Sequence, residues 1–231
     1  MRADSADGPD QTVIVRDAPE SLEMPYLRAV ALIAAALPSP ERVLLIGLGG
    51  GGFVHHLRAW HPRARIDAVE IDPVVVRLAG DHFGLASGPQ LIVHIADGAD
   101  FVERPGSAQA YDLVFLDAYH GDTIPPALRT HAFLDRLSET LRHDGLAVAN
   151  VSARGRDGFV EMFASVFERC VTLRARQDDN LLIVGSRGSS PSPRDVFVAA
   201  RALDGRGAHE FRFETIARTL RSCEGSNDLA P

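Results

Sequence analysis

A chain of 231 residues, 45% of them hydrophobic, is long enough for one well-buried core with small appendages. A formal net charge of −7 and a pI near 5.7 argue against nucleic-acid binding, which takes a basic face. No apolar run reaches about 18 residues and the opening MRADSADGPD is polar, so neither a membrane span nor a secretory signal is expected, and a cytoplasmic location is. Cys170 and Cys223 match no metal or redox spacing and read as separate thiols rather than a disulfide.

Residues 1–10 have the Asp, Gly and Pro content of a disordered tail. Thr12–Arg16 (TVIVR) predicts a short strand, and Tyr26–Leu37 an apolar helix that stops before Pro38 and Pro40. The stretch Arg42–Asp72 then reads as a buried strand (Val43–Ile46), a glycine turn, a helix, and a second strand ending on Glu70. Pro73–Phe83 predicts a helix with proline in its first turn. Leu91–Ala96 is a short apolar strand, followed by Asp97-Gly98 and a brief helix through Val102. Tyr111–Leu116 is continuously apolar apart from Asp112, as a central strand covered on both faces should be, and ends at Asp117.

Further on, Pro126–Leu141 predicts a helix with a stop at Asp144-Gly145, Leu146–Val151 a fifth strand, and Gly158–Arg169 another helix. Val171–Arg174 and Leu181–Gly185 form a closing strand pair; Ser186–Pro193 is linker; Arg194–Leu203 and Phe211–Ser222 are weaker helices. Strands alternating with helices predict a doubly wound α/β sheet. The chain divides into a tail with a short strand (1–25), a nucleoside-binding α/β domain (26–186), and a linker with a helical extension (187–231).

In such a sheet ligands sit outside the carboxyl ends of the strands, near the point where strand order reverses. Strand one delivers a glycine run with Gly47, Gly49 and Gly51, where the backbone can turn sharply beside a ligand. The next strands deliver Glu70, placed for two ribose hydroxyls, then Asp97 with Gly98, placed for an adenine amine, then Asp117 followed by Ala-Tyr119-His120-Gly-Asp122. Each has a plainer reading. The glycines also fit the dinucleotide pattern G-x-G-x-x-G; Glu70 also fits an exposed strand end, Asp97 a helix cap and Asp117 a turn cap. Asp72, before Pro73, is assigned to an N-cap. The adjacent His55-His56 do not share a helix face, so no metal site is assigned to them.

The segments LLIGLGGGG, AVEIDPVVV, ADGADF, YDLVFLDAY with IPPALRTHAFL, and DGLAVANV resemble, in order and spacing, the spermidine synthase family. More closely they resemble its spermidine-synthase-like branch on the class I S-adenosylmethionine-dependent transferase fold. The similarity runs from about Tyr26 to Val184. It implies a seven-stranded, mostly parallel Rossmann-like sheet whose last strand is antiparallel. It also implies aminopropyl transfer from decarboxylated S-adenosylmethionine to an amine such as putrescine, without a metal, in a homodimer. By position, Glu70 would hold the ribose, Asp97 the adenine, Asp117 the attacking amine as its proton acceptor, and Tyr26 would line the acceptor pocket. Tyr119, His120 and Asp122 are substrate-binding candidates from their place on the loop after strand four, where side chains are freer to serve a substrate.

Four departures stand out. Gly50 replaces the aspartate of the family's G-G-G-D-G-G turn, a carboxylate that helps hold the cationic tail; Leu27 and Arg28 replace the His and Glu after the tyrosine. The D-S-S-D-P loop becomes Asp117-Ala-Tyr-His-Gly-Asp122, and the N-terminal hairpin domain, part of what would support a dimer, shrinks to one expected strand. Three alternatives follow: a methyltransferase using intact S-adenosylmethionine, a non-catalytic nucleoside-binding relative, and a dinucleotide dehydrogenase.

Overall fold

The computed structural model describes residues 12–121, 123–153, 156, 158–174, 179–188, 191–206 and 211–223. One sheet of eight strands runs through it in the order β3-β2-β1-β4-β5-β7-β6-β8. Its strands are β1 (Arg42–Ile46), β2 (Arg65–Glu70), β3 (Leu91–Ile95), β4 (Tyr111–Leu116), β5 (Leu141–Val151), β6 (Arg169–Arg174), β7 (Leu181–Ser186) and β8 (Arg221–Ser222). Strands β1 to β5 are mutually parallel, whereas β7 lies antiparallel between β5 and β6. The expected seven strands therefore gain an eighth, antiparallel to β6, and the sheet is less purely parallel than the sequence suggests.

Side chains alternate across the strands, so each half of the pattern feeds a different layer. Val43 and Leu45 of β1 join Leu113 and Phe115 of β4 in a core closed by α1 (Pro25–Ala36) and α2 (Gly52–Trp60). Leu44 and Ile46 join Val114 and Leu116 on the opposite face, under α4 (Gly98–Val102), α5 (His131–Thr140) and α6 (Phe159–Val166). Helix α1 is buried almost all round because the C-terminal helices α7 (Pro193–Asp204) and α8 (Phe213–Ala217) cover its outer side. Helix α3 (Pro73–Phe83) packs loosely beside β2 and β3, with Asp72 as its N-cap: Asp72 Oδ1 accepts the Val74 N–H at 2.7 Å. One charge is set within the sheet. Asp67 of β2 accepts from Tyr111 (3.1 Å), Arg42 (3.3 Å) and His94 (2.8 Å), the partners a buried carboxylate requires.

Four elements depart from the sequence expectation. Thr12–Arg16 is not a strand; it opens a strap over residues 12–24 whose pairing, among the described residues, is an isolated bridge from Val15 to Ala18. The helix expected over Pro126–Leu141 breaks into a 3₁₀ turn (Pro126–Leu128) and α5, because Thr130 turns extended and its Oγ1 caps the Phe133 N–H at 3.1 Å. Strand β5 begins at once at Leu141, so Asp144-Gly145 lies within it. The helix expected over Phe211–Ser222 ends at Ala217, after which Thr219 Oγ1 bonds to both the N–H (2.8 Å) and the carbonyl (3.0 Å) of Arg174. That contact draws the chain along β6 as β8.

Pairing of β8 with β6 brings Cys223 beside Cys170, and the two form a disulfide, contrary to the expectation of separate thiols. Spacing could not reveal it, since two cysteines 53 positions apart are brought together only with α7 and α8 packed back onto α1. A crosslink over so long a loop restricts the unfolded chain. Cys223→Ser, or reduction, should therefore lower unfolding free energy by roughly 2–4 kcal/mol, measured by denaturant titration with and without reductant. Ligand binding at the strand tips, remote from this edge, should be unchanged.

Candidate active site

The strand order reverses between β1 and β4, and a crevice opens there. Register makes the tips level: Ile46 pairs with Val69 on one side and Leu116 on the other, and Glu70 pairs with Ile95. Gly47 then turns out of β1 at φ +96°, and a Cβ there would stand 2.3 Å from the Asp117 carbonyl oxygen. Only glycine lets the two strand ends come this close. Above them lies a cavity of about 660 Å³.

Among the residues singled out from sequence, Gly47, Gly49, Gly51, Glu70, Asp97, Gly98, Asp117, Tyr26 and Tyr119 all line this cavity. His120 does not: its side chain is exposed on the loop, while its backbone pairs with Thr123. Asp122 lies outside the described residues. Arg28 turns away, its guanidinium 4.1 Å over the Phe211 ring and its Nε donating to the Leu22 carbonyl at 2.8 Å. So placed, Arg28 does not line the cavity, and Leu27 does.

The carboxylates are held in different ways. Glu70 Oε2 accepts the Leu48 N–H at 3.1 Å and Oε1 the Asp72 N–H at 3.0 Å, which ties the glycine turn to the exit of β2. Asp97 is the N-cap of α4: its Oδ1 accepts the Ala99 N–H at 2.7 Å. Asp117 is gripped at both oxygens, with the Tyr26 hydroxyl donating to Oδ2 at 2.9 Å and Asn150 Nδ2 to Oδ1 at 2.8 Å. Burial pushes the Asp117 pKa up to about 6, against the opposing pull of the Asn150 and Tyr26 hydrogen bonds.

Sequence reading passed over Asn150, Thr12 and Asp179. Asn150, at the end of β5, is 1% exposed, and the Tyr119 hydroxyl donates to its carbonyl at 2.8 Å. Its side-chain Oδ1 is buried without a partner among the described residues. The signal available was a polar residue inside the apolar run LAVANV. Asp179 and Asn180, before β7, close the far wall. Among the described residues no cluster of three His, Cys, Asp or Glu could hold a metal, and no helix is long and apolar enough to cross a membrane.

Against known proteins, the model of the Spermine/spermidine synthase domain matches residues 23–153, more than half of the chain. The chain belongs to the spermine/spermidine synthase family. It is 33% identical over 183 residues to a polyamine aminopropyltransferase of Vibrio vulnificus, covering 78% of this chain and 61% of that protein. It is 36% identical over 126 residues to the eEF1A lysine and N-terminal methyltransferase of Mus musculus, covering 51% of this chain and 18% of that one. Among solved structures, human methyltransferase-like protein 13 in complex with SAH superposes with a TM-score of 0.70 at 25% identity, over 81% of this chain and 96% of that one. The α/β fold is thus that of the class I S-adenosylmethionine-dependent transferases.

Because the Asp117 pKa is raised on folding, the folded chain holds a proton that the unfolded chain releases, and stability falls as pH rises from about 4 through about 6. Asp117→Asn removes the buried charge. It should raise unfolding free energy at pH 7 by up to about 3 kcal/mol, with no gain below pH ~4. Chemical denaturation of both proteins at pH 3.5, 5.5 and 7.5 measures the difference.

Proposed function

We propose that the chain moves an aminopropyl group from decarboxylated S-adenosylmethionine to a small amine such as putrescine. The observation that carries this reading is the charge of the cavity. Glu70, Asp97, Asp117 and Asp179 line it, and no Arg or His side chain does among the described residues, in a chain without lysine. Such a field suits a sulfonium, a donor tail ending in an ammonium, and a cationic acceptor. The carboxylate of an intact methionyl tail would enter a field of its own sign.

Within this reading Glu70, already aligned by two backbone N–H groups, accepts the ribose hydroxyls on its remaining lone pairs. Asp97 keeps Oδ2 for the adenine amine, since Oδ1 serves the α4 cap. The amine lone pair forms a bond to the carbon beside sulfur, and the carbon–sulfur bond breaks with its electron pair returning to sulfur. The sulfonium leaves as a neutral thioether, methylthioadenosine. Little is asked of the protein beyond positioning, exclusion of water and removal of one proton from the attacking nitrogen. Asp117 takes that proton, its acceptance strengthened by burial and its direction fixed by Tyr26 and Asn150. The family relationship and the aminopropyltransferase relative support the same chemistry.

A second reading is favoured by one observation. Gly50 brings no carboxylate to the donor's tail, which suits methyl transfer from intact S-adenosylmethionine to an amine, as the names of two similar proteins suggest. Asp117 would serve the same step.

Calorimetry with S-adenosylmethionine, its decarboxylated form and methylthioadenosine separates the two: tighter binding of the decarboxylated form supports aminopropyl transfer, and tighter binding of the intact form supports methyl transfer. Asp117→Asn should lower turnover about 10²-fold or more while sparing nucleoside binding; lost binding would reassign Asp117 to the donor. The rate should rise with pH around a midpoint near 6 as Asp117 ionises. Tyr26→Phe and Asn150→Ala each remove a hydrogen bond to the ionised form, so each should move that midpoint upward.

A further inference from the structure

The glycine turn carries a side chain after all, but one delivered from a distant part of the chain. Thr12 is buried, and its Oγ1 accepts the Gly50 N–H at 3.0 Å across 38 residues of sequence. A Cβ on Gly50 would meet Thr12 Cγ2 at 2.5 Å and Thr12 Cβ at 3.1 Å. The volume in which a residue-50 side chain would begin is therefore filled by the Thr12 methyl, and Thr12 lines the cavity. The strap that brings it there is fastened at its other end: the Glu20 carbonyl lies 3.3 Å from His56 Nδ1, and Arg28 holds the Leu22 carbonyl.

We propose that Thr12 lines the subsite for the donor's tail in place of a residue-50 side chain and, being neutral, contributes nothing to the separation of donors with and without a tail carboxylate. This rests on the adenosyl-sulfonium reading above. The cavity's acids stand elsewhere, Glu70 at the end of β2, Asp97 beyond β3, Asp117 beyond β4 and Asp179 before β7, so none projects from the turn that the tail must pass. A carboxylate at Thr12's place would attract the tail ammonium and repel a tail carboxylate, and both effects favour the decarboxylated donor. A hydroxyl and a methyl do neither. The preference then comes from the acidic cavity as a whole, and one carboxylate placed in the strap should enlarge it.

The test compares Thr12→Asp with its neutral isostere Thr12→Asn. Dissociation constants for S-adenosylmethionine, its decarboxylated form and methylthioadenosine, which has no charged tail, are measured by calorimetry. Thr12→Asp should shift the ratio of the first two toward the decarboxylated donor by about tenfold or more, the scale of one charge-assisted contact. Thr12→Asn should not shift it, and methylthioadenosine should bind all three proteins alike. Because Thr12 is packed, Val13→Asp gives a second reading: Val13 also lines the cavity but is 38% exposed, so a carboxylate there is tolerated and should shift the ratio the same way, by less. Retained methylthioadenosine binding with an unmoved ratio, or an equal shift in the Asp and Asn variants, overturns the Thr12 proposal alone. Failure of the unsubstituted chain to bind methylthioadenosine overturns the adenosyl reading and this proposal with it.

Discussion

Everything at the candidate site depends on how closely two strand ends approach. The 2.3 Å that would separate a Gly47 Cβ from the Asp117 carbonyl leaves no room for any side chain, so β1 and β4 can be level neighbours only with glycine at that turn. Their closeness sets the crevice at the reversal of strand order. It also places Asp117 deep enough for burial to raise its pKa, yet within reach of Tyr26 from α1 and Asn150 from β5. A carboxylate tuned near neutrality is thus a consequence of backbone packing before it is a matter of side-chain identity.

The parts of the fold legible in the sequence are those whose state is decided within a few residues. Pro73–Phe83 and Tyr111–Leu116 begin and end where periodicity and capping residues place them. The carboxylates at strand ends could be collected because topology alone carries them to one edge. What escaped was set by contacts distant in sequence. Thr12–Arg16 has β-branched composition, yet it joins no strand of the sheet and lies as a strap on the glycine turn, held by the Thr12 to Gly50 hydrogen bond. Cys170 and Cys223 meet only because β8 pairs with β6, and β8 exists only because Thr219 leaves its helix for Arg174. Asn150 reads as one polar residue in an apolar strand until Asp117 is found opposite it.

The C-terminal segment bears on this division. Helices α7 and α8 bury the outer side of α1, whose inner end carries Tyr26 to Asp117, and the disulfide holds the following strand to the sheet edge. Arg28 belongs to the same arrangement. It lies one helical step beyond Leu27, and its guanidinium is drawn outward over Phe211 of the C-terminal segment. Arg28 is thus a bond between the strap, α1 and the C-terminal segment.

Charge then ties the chemistry to the departures from the family pattern. With Gly50 in place of the turn carboxylate and Arg28 withdrawn, the cavity has lost one acid and gained no cation, and Asp179 adds an acid on the wall facing the crevice. The acids that remain stand on the strand ends and before β7, and none on the glycine turn. In the proposed reaction the pull on a cationic acceptor would survive that change, while the pull on the donor's tail would weaken. In the proposed reaction the amine would be the more firmly held of the two substrates, because Asp117 and its partners are fixed by α1, β4 and β5 together rather than by the strap.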